Sequence, residues 1–258
     1  DAPLDHAYAT DATARAQAVV VAEYADVTVA AGARLTARAW DGNSGGILAL
    51  DATGEVTVDG SIHANGIGFR GRNHPCPYRC ARGYQGESAL GLGGVDLAAN
   101  GAGGGGGGRG QDDGAGGGGA YGESGIPGPD RVGCGTCAEC VAGAIPGGEG
   151  GTPAGAADLS TVALFGAAGG EGGADEDGGN PGAGGNGGGI LLIRSGGVTL
   201  GPSGAIQSNG ANGAGGNQSA CGGSGCGMGG GGGGAGGAVR LVSIGPVALG
   251  VHQVRAIA

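Results

Sequence analysis

The chain has 258 residues, of which 73 are glycine, whereas aromatic residues make up 3% and charged residues 13%. Glycine at this level excludes a helical bundle, because it destabilises helix interiors, and the lack of a strict G-X-Y period excludes collagen. The net charge is −10, and all twelve basic residues other than histidine are arginines; this acidic balance disfavours binding to nucleic acid or anionic lipid. No apolar run is long enough to span a membrane.

The first 18 residues are predicted to form an N-terminal arm. The chain begins with Asp1-Ala2-Pro3 rather than with methionine, which indicates either a mature product after signal removal or an excerpt of a longer protein. Seven cysteines in a chain with so few large apolar side chains are typical of an oxidising compartment. We therefore predict a secreted, extracellular protein.

Four segments of the chain share one pattern, at residues 19–43, 45–66, 188–210 and 236–258. Each contains a short apolar run, a turn, a V-x-V or V-x-L pair, a second turn and another short apolar run. Runs of four to six residues with β-branched alternation predict strands. The pattern places coils 1 and 2 at 19–68, coil 3 at 188–212 and coil 4 at 236–258.

The units align in phase, so that Ile47 and Leu50 match Ile190 and Ile193. A three-strand unit of about 22 residues has the size of one turn of a parallel β-solenoid, and a sandwich of hairpins is the main alternative. In-phase units favour the solenoid. The predicted core is a single stack of inward side chains: Ile47, Leu50, Val56, Val58, Ile62, Ile190, Ile193, Val198, Leu200, Ile206, Val239, Leu241, Val247 and Leu249.

Two glycine-rich insertions, at 69–187 and 213–235, separate the later units. Their composition is compatible with flexible linkers. The alternative is packed polyglycine II, in which three-residue-per-turn helices bond sideways to their neighbours. We favour the second interpretation, since the tracts recur between strand units and are interrupted by small residues. The predicted fold class is all-β: short parallel β-solenoid coils with long polyglycine-II-like insertions.

The motif G-G-x-I-x-L followed by V-x-V-x-G-x-I-x-A-N-G is clearest at 45–66 and 188–210. With its poly-glycine loops it resembles bacterial extracellular glycine-rich β-solenoid repeat proteins of the adhesin, sheath and filament type. The resemblance covers about two thirds of the chain. It implies a repetitive extracellular architecture and is not specific for any activity.

The cysteines form three local groups within or beside the glycine-rich insertions. The spacing CGTCAEC is compatible with the start of a zinc or iron–sulfur site, but a fourth ligand at the usual short spacing is missing. Since secretion favours disulfides, we predict at least two of them and one cysteine left over. The candidates are Cys76, Cys80, Cys134, Cys137, Cys140, Cys221 and Cys226.

No other residues form a recognisable catalytic or metal-binding pattern. The four histidines are far apart in sequence. The residues around the acidic triplet at 175–177 do not match the calcium-binding nonapeptide motif. Neither a nucleophile elbow nor an HExxH motif occurs. We predict no enzyme activity and no cofactor.

The predicted function is structural, with the chain itself as the partner. A chain that ends within its last strand unit, and opens almost directly into its first, leaves two uncapped ends that favour head-to-tail contact. We expect an extracellular filament or surface layer, and the alternative is an adhesin module that binds glycans, ice or another surface. The predicted assembly residues are Val19, Val21, Val27, Val29, Val251, Val254 and Ile257.

Overall fold

The computed structural model describes residues 16–73, 82–108, 114–132, 144–156, 158–160, 162–173, 180–216, 229–251 and 253–258. These ranges contain twelve β-strands and no helix. Two strands are long, β4 (Ile47–Val58) and β8 (Ile190–Leu200). The others are β1 (Ala22–Tyr24), β2 (Val27–Val29), β3 (Arg34–Leu35), β5 (Ser61–His63), β6 (Arg131–Val132), β7 (Ala144–Ile145), β9 (Ala205–Gln207), β10 (Ala238–Ser243), β11 (Val247–Ala248) and β12 (Val254–Arg255).

Most strands belong to two parallel sheets. In both sheets, the strands of the four sequence units lie side by side in the same order. In the six-stranded sheet, β1 and β2 pair with one side of β4, β8 pairs with the other side, and β10 and β11 pair with the far side of β8. The four-stranded sheet has the order β3, β5, β9, β12. The short strands β6 and β7 form a separate antiparallel pair. Each sheet therefore has one edge built from the first unit and one from the last.

The in-phase alignment of the units reappears as the register of these sheets. Ile47 pairs with Ile190, and Val56 pairs with Val198 across the β4–β8 ladder. Valine and isoleucine suit such positions because β-branched side chains pack well on a pleated surface. In both of these columns the same side chain occurs on β4 and on β8.

The predicted fold class, an all-β chain of short β-solenoid coils with polyglycine-II-like insertions, is wrong. The structure contains two parallel sheets of six and four strands, and parallel strands are equally a property of α/β folds, so they are not evidence for a solenoid. Short coils are not seen where they were expected, since β4 and β8 run for 12 and 11 residues. The predicted turn inside each of these units is instead an irregularity of the ladder between Ala52 and Glu55.

The predicted core divides into two clusters rather than one stack. The main cluster joins residues of both sheets, with Val56, Val58, Ile62 and Ile206 fully buried. Ile190 belongs instead to a second cluster, with Trp40, Phe165 and Ala238. Five predicted core residues are not buried, because they lie at or near a strand end or on an edge strand: Ile47, Val239 and Leu241 are half-buried, and Val247 and Leu249 are exposed.

The A-N-G and S-N-G motifs place an asparagine at the same point of successive units. The side-chain oxygen of Asn65 accepts a hydrogen bond of 2.7 Å from the backbone N–H of Asn209. The side-chain oxygen of Asn209 accepts in turn from the backbone N–H of Ile257, at 3.2 Å. Each asparagine thus ties the end of its own unit to the next one.

The described glycine-rich segments form a further interior that is built from backbone. Segment 166–172 donates hydrogen bonds to segment 182–188 at every third residue, with N–O distances of 2.8 to 3.0 Å. Segment 182–188 donates to segment 229–235 with the same spacing, at 2.8 Å. The bonds leave in more than one direction, since segment 182–188 accepts from segment 166–172 and donates to segment 229–235. The buried amides are satisfied in this way without a sheet.

These segments approach one another more closely than any side chain would allow. Residues 165–173 are all buried, and a Cβ atom at Gly170 would collide with the carbonyl group of Gly106. The same is true at Gly117, where a Cβ atom would strike the carbonyl group of Glu149. Glycine is required here for close approach and not for a left-handed backbone.

Candidate assembly surfaces

The two sheets end together on each side of the molecule, which creates two composite edges. The first edge consists of β1, β2 and β3, and the last edge consists of β10, β11 and β12. Each of these strands is paired on one side only within the part of the chain that the structure describes. A strand edge of this kind presents unpaired N–H and C=O groups that can pair with another chain.

Both edges also expose large apolar side chains. Ten of the fifteen large hydrophobic residues that are exposed in the described ranges lie on or beside these edges. Such a concentration is unusual, because single exposed apolar residues are ordinarily scattered. They are Val19, Val20, Val21 and Tyr24 at the first edge, and Val242, Ile244, Val247, Leu249, Val251 and Ile257 at the last edge.

One of the exposed side chains, that of Val247, continues a column that is buried inside the six-stranded sheet. In one column, Val27, Val56, Val198 and Val247 occupy the same register position on neighbouring strands. Val56 and Val198 are almost completely buried, whereas Val247 is 47% exposed. The core is therefore not closed at the last edge, and an additional strand there would bury Val247 as β8 buries Val56.

The four-stranded sheet shows the same arrangement. Leu35, Ile62, Ile206 and Val254 form one column. The two central residues are fully buried and the two outer ones are half-buried. Both sheets thus place an incompletely covered apolar residue at each edge.

The seven predicted assembly residues occupy these edges but differ in accessibility. Val19, Val21, Val251 and Ile257 are exposed. Val27 and Val254 are half-buried against the main cluster, and Val29 is buried within it. Sequence reasoning missed Val247 and Leu249 as surface residues, although their alignment with the last unit could have indicated an edge position.

Charged side chains on the outer face of the six-stranded sheet pair across strands. Arg194 on β8 donates a hydrogen bond to the carboxylate of Asp51 on β4, its register partner. This hydrogen bond, together with the positive charge of Arg194, holds the pKa of the Asp51 carboxyl below its usual range. Glu23 occupies the corresponding position on β1, so the first edge carries a carboxylate that a neighbouring cation could match.

His63 lies on β5 and is half-buried, with its Nδ1 atom buried and without a hydrogen-bond partner. Burial, and to a lesser extent the positive charge of Arg34 on β3, lowers its pKa below the ordinary 6.5. The folded state therefore favours the neutral imidazole.

We expect this histidine to make the folded state less stable as the pH falls. Since the pKa is lower in the folded state, the unfolded chain binds more protons below pH 6.5, and stability is lost between that pH and the lower folded-state pKa. Urea unfolding of the wild type and of His63→Gln at pH 7.5 and 5.5 measures the effect. Lowering the pH from 7.5 to 5.5 should reduce the free energy of unfolding of the wild type more than that of His63→Gln. An equal reduction in the two proteins would contradict the lowered pKa of His63.

The described residues contain no group of three or more histidine, cysteine, aspartate or glutamate side chains that could hold a metal ion. All seven cysteines, and the acidic triplet at 175–177, lie outside the described residues. The disulfide prediction therefore stays a prediction.

No family model, curated protein or solved structure matches this chain. The resemblance to glycine-rich extracellular repeat proteins accordingly stays a prediction that rests on the repeat motif. Among the described residues, none forms a helix of the length and hydrophobicity needed to cross a bilayer.

Proposed function

We propose that the chain is a structural protein that self-assembles head to tail into an extracellular filament or surface layer. The observation that carries the proposal is that apolar columns, buried in the middle of both sheets, end at both composite edges in side chains that the described residues cover only in part. Burying them against a second copy would remove apolar surface from water and pair the free backbone groups.

The parallel topology determines how two copies would meet. Within each sheet, all strands from the first edge to the last are parallel to one another. The last edge of one copy can therefore pair with the first edge of another in the register already used between the internal units. By this register Leu241 would face Ala22, Val247 would face Val27, and Val254 would face Leu35.

Charge placement favours the same partner. Glu23 at the first edge would face Val242 of the other copy, and Arg240 would lie diagonally opposite on the same face of the sheet. Diagonal cross-strand neighbours are within reach of long side chains. The contact joins two different surfaces, so each added copy leaves a new free edge, and growth continues as an open fibre.

The binding-module alternative has less support from the outer face of the sheet. Thr28, Thr57 and Thr199 do lie in one register row, as an ice-binding ladder would require. However, the Thr199 hydroxyl donates to Glu55, and the row ends at Ala248. The face is a mixed charged surface and not a repeated array of hydroxyl groups.

Blocking one edge at a time tests the proposal. Val247→Asp places a charge on the last edge and Val20→Asp places one near the first edge, where Val20 is 91% exposed. We expect the wild type to form assemblies that grow with concentration in sedimentation velocity and appear as fibres or layers by electron microscopy. Each variant alone should be monomeric, because its blocked edge cannot be extended.

An equimolar mixture of the two variants is the decisive sample. Each variant retains one intact edge, so the mixture should give a 1:1 dimer that grows no further. Ile126→Asp, which changes an equally exposed apolar residue away from both edges, should assemble like the wild type. A wild type that is monomeric at high concentration, or single variants that still form dimers, would overturn the head-to-tail proposal.

A further inference from the structure

Three of the eight aromatic side chains of this chain are concentrated at one place. Its single tryptophan and its two phenylalanines come from distant parts of the sequence and meet in one group. The ring centroids of Trp40 and Phe165 are 5.4 Å apart, and those of Phe69 and Phe165 are 5.2 Å apart in an edge-to-face arrangement. These rings line a cavity of about 560 Å³, which falls within the usual range of small-molecule pockets.

The polar side chains of the cavity wall are already engaged with the protein. The Arg70 guanidinium donates to both carboxylate oxygens of Glu87, at 2.9 and 3.0 Å. Ser88 donates to the carbonyl oxygen of Gly101 at 2.7 Å, and the Gln17 side chain exchanges two hydrogen bonds with Gly45. Because the one positive and one negative charge cancel, the wall offers no net charge to a ligand.

One buried polar group of a residue that lines the cavity lacks a hydrogen-bond partner among the described residues. Trp40 is 7% exposed, and its Nε1–H group is buried with no acceptor in the part of the chain that the structure describes. A buried donor of this kind costs about 1–3 kcal/mol unless it is satisfied. Because the Nε1 atom has almost no accessible surface, a molecule in the cavity would contact the ring and not its N–H group.

The rim of the cavity is apolar and accessible. Leu90 and Leu92 line it and are 66% and 53% exposed. Both belong to the loop that follows Ser88. An apolar molecule that entered the cavity would cover these leucines as well as the aromatic rings.

We propose that this cavity binds a small, uncharged aromatic molecule. The aromatic rings supply edge-to-face contacts, and the leucines cover the outer part of the ligand. A charged or sugar-like ligand fits less well, since the wall has few unpaired polar groups. The proposal does not depend on self-assembly.

Prodan, an uncharged naphthalene with a ketone, is a suitable probe. Because Trp40 is the only tryptophan, its emission reports on this cavity. We expect saturable 1:1 binding to the full-length chain, with a blue shift of prodan emission and quenching of Trp40. The double variant Leu90→Asp/Leu92→Asp should weaken binding by about tenfold or more, and Ala163→Phe, which fills the cavity, should do the same.

Two controls separate this site from the sheet edges. Val95→Asp changes an exposed residue of the same loop that does not line the cavity, and it should bind prodan like the wild type. The edge variant Val247→Asp should also bind normally, whether or not the wild type assembles. Absence of saturable binding, or binding that leaves Trp40 emission unchanged and is lost in Val247→Asp, would overturn the proposal.

Discussion

Gly170→Ala is expected to destabilise the protein strongly, although it adds only one methyl group. Gly170 donates a 2.8 Å hydrogen bond to Gly117 and accepts one of 2.9 Å from Gly232. The new Cβ atom would collide with the backbone of Gly106, which cannot rotate away as a side chain can. We expect a loss at or above the upper end of the about 1–3 kcal/mol that overpacking costs, because separating the segments also breaks hydrogen bonds.

Gly122→Ala is the matched control for this substitution. Gly122 is exposed, and a Cβ atom there would meet nothing within 4 Å. The added methyl group reduces the freedom of the unfolded chain, so a gain of about 0.4–1 kcal/mol is expected. Urea unfolding followed by Trp40 fluorescence and circular dichroism compares the two variants. If the two variants were equally stable, segment 166–172 would not be packed closely against the backbone of its neighbouring segments.

Ile193→Asp is expected to prevent stable folding of the two sheets. Ile193 is 2% exposed, and its register partners are Leu50 and Leu241. A carboxylate at this position would be buried without a partner, at a cost of about 4 kcal/mol or more. Since native domains are stable by only about 5–15 kcal/mol, one such substitution removes a large part of the total.

Two further variants make this prediction specific. Ile193→Val keeps the site apolar and should cost about 0.5–1.5 kcal/mol. Thr53→Asp adds the same charge to an exposed position of β4 and should change the unfolding midpoint little. The urea concentration at the unfolding midpoint should therefore be highest for Thr53→Asp, lower for Ile193→Val and lowest for Ile193→Asp. An Ile193→Asp protein as stable as Thr53→Asp would contradict the burial of this position.

The molecule thus combines two kinds of interior with different requirements. In the sheets, side chains fill the space between strands, and a smaller apolar residue leaves a cavity. In the glycine-rich segments, backbone fills the space, and a larger residue has no room. The first interior tolerates conservative apolar changes, whereas the second is intolerant of any side chain where Cβ would meet a neighbouring backbone.

The amino-acid pattern was sufficient to predict strands and their register. Apolar residues at equivalent positions of four units can all be buried only if the units pair in phase, and a slip of one residue would turn each column to the other face. The pairing of Ile62 with Ile206, and of Val254 with Ile206, follows from this alone. The same alignment led to the wrong fold class, because a repeat in phase specifies neighbours and not the winding of the chain between them.

The candidate edges could be anticipated only in part. Alignment placed Val251 and Val254 in the last unit, but it also placed Val247 and Leu249 in the core, since nothing local distinguishes an inner strand from an outer one. Whether a column continues depends on how many strands are stacked, which is a property of the whole sheet.

The sequence by itself determined that glycine and short apolar repeats dominate this protein, and which residues share a column. Only the tertiary structure decided which glycine-rich segments lie against one another, and that Trp40, Phe69 and Phe165 line one cavity. The physical reason is the range of the interactions. Strand register follows from alternation within a few residues, whereas backbone contacts between segments 166–172, 182–188 and 229–235 arise from long-range packing that no local pattern records.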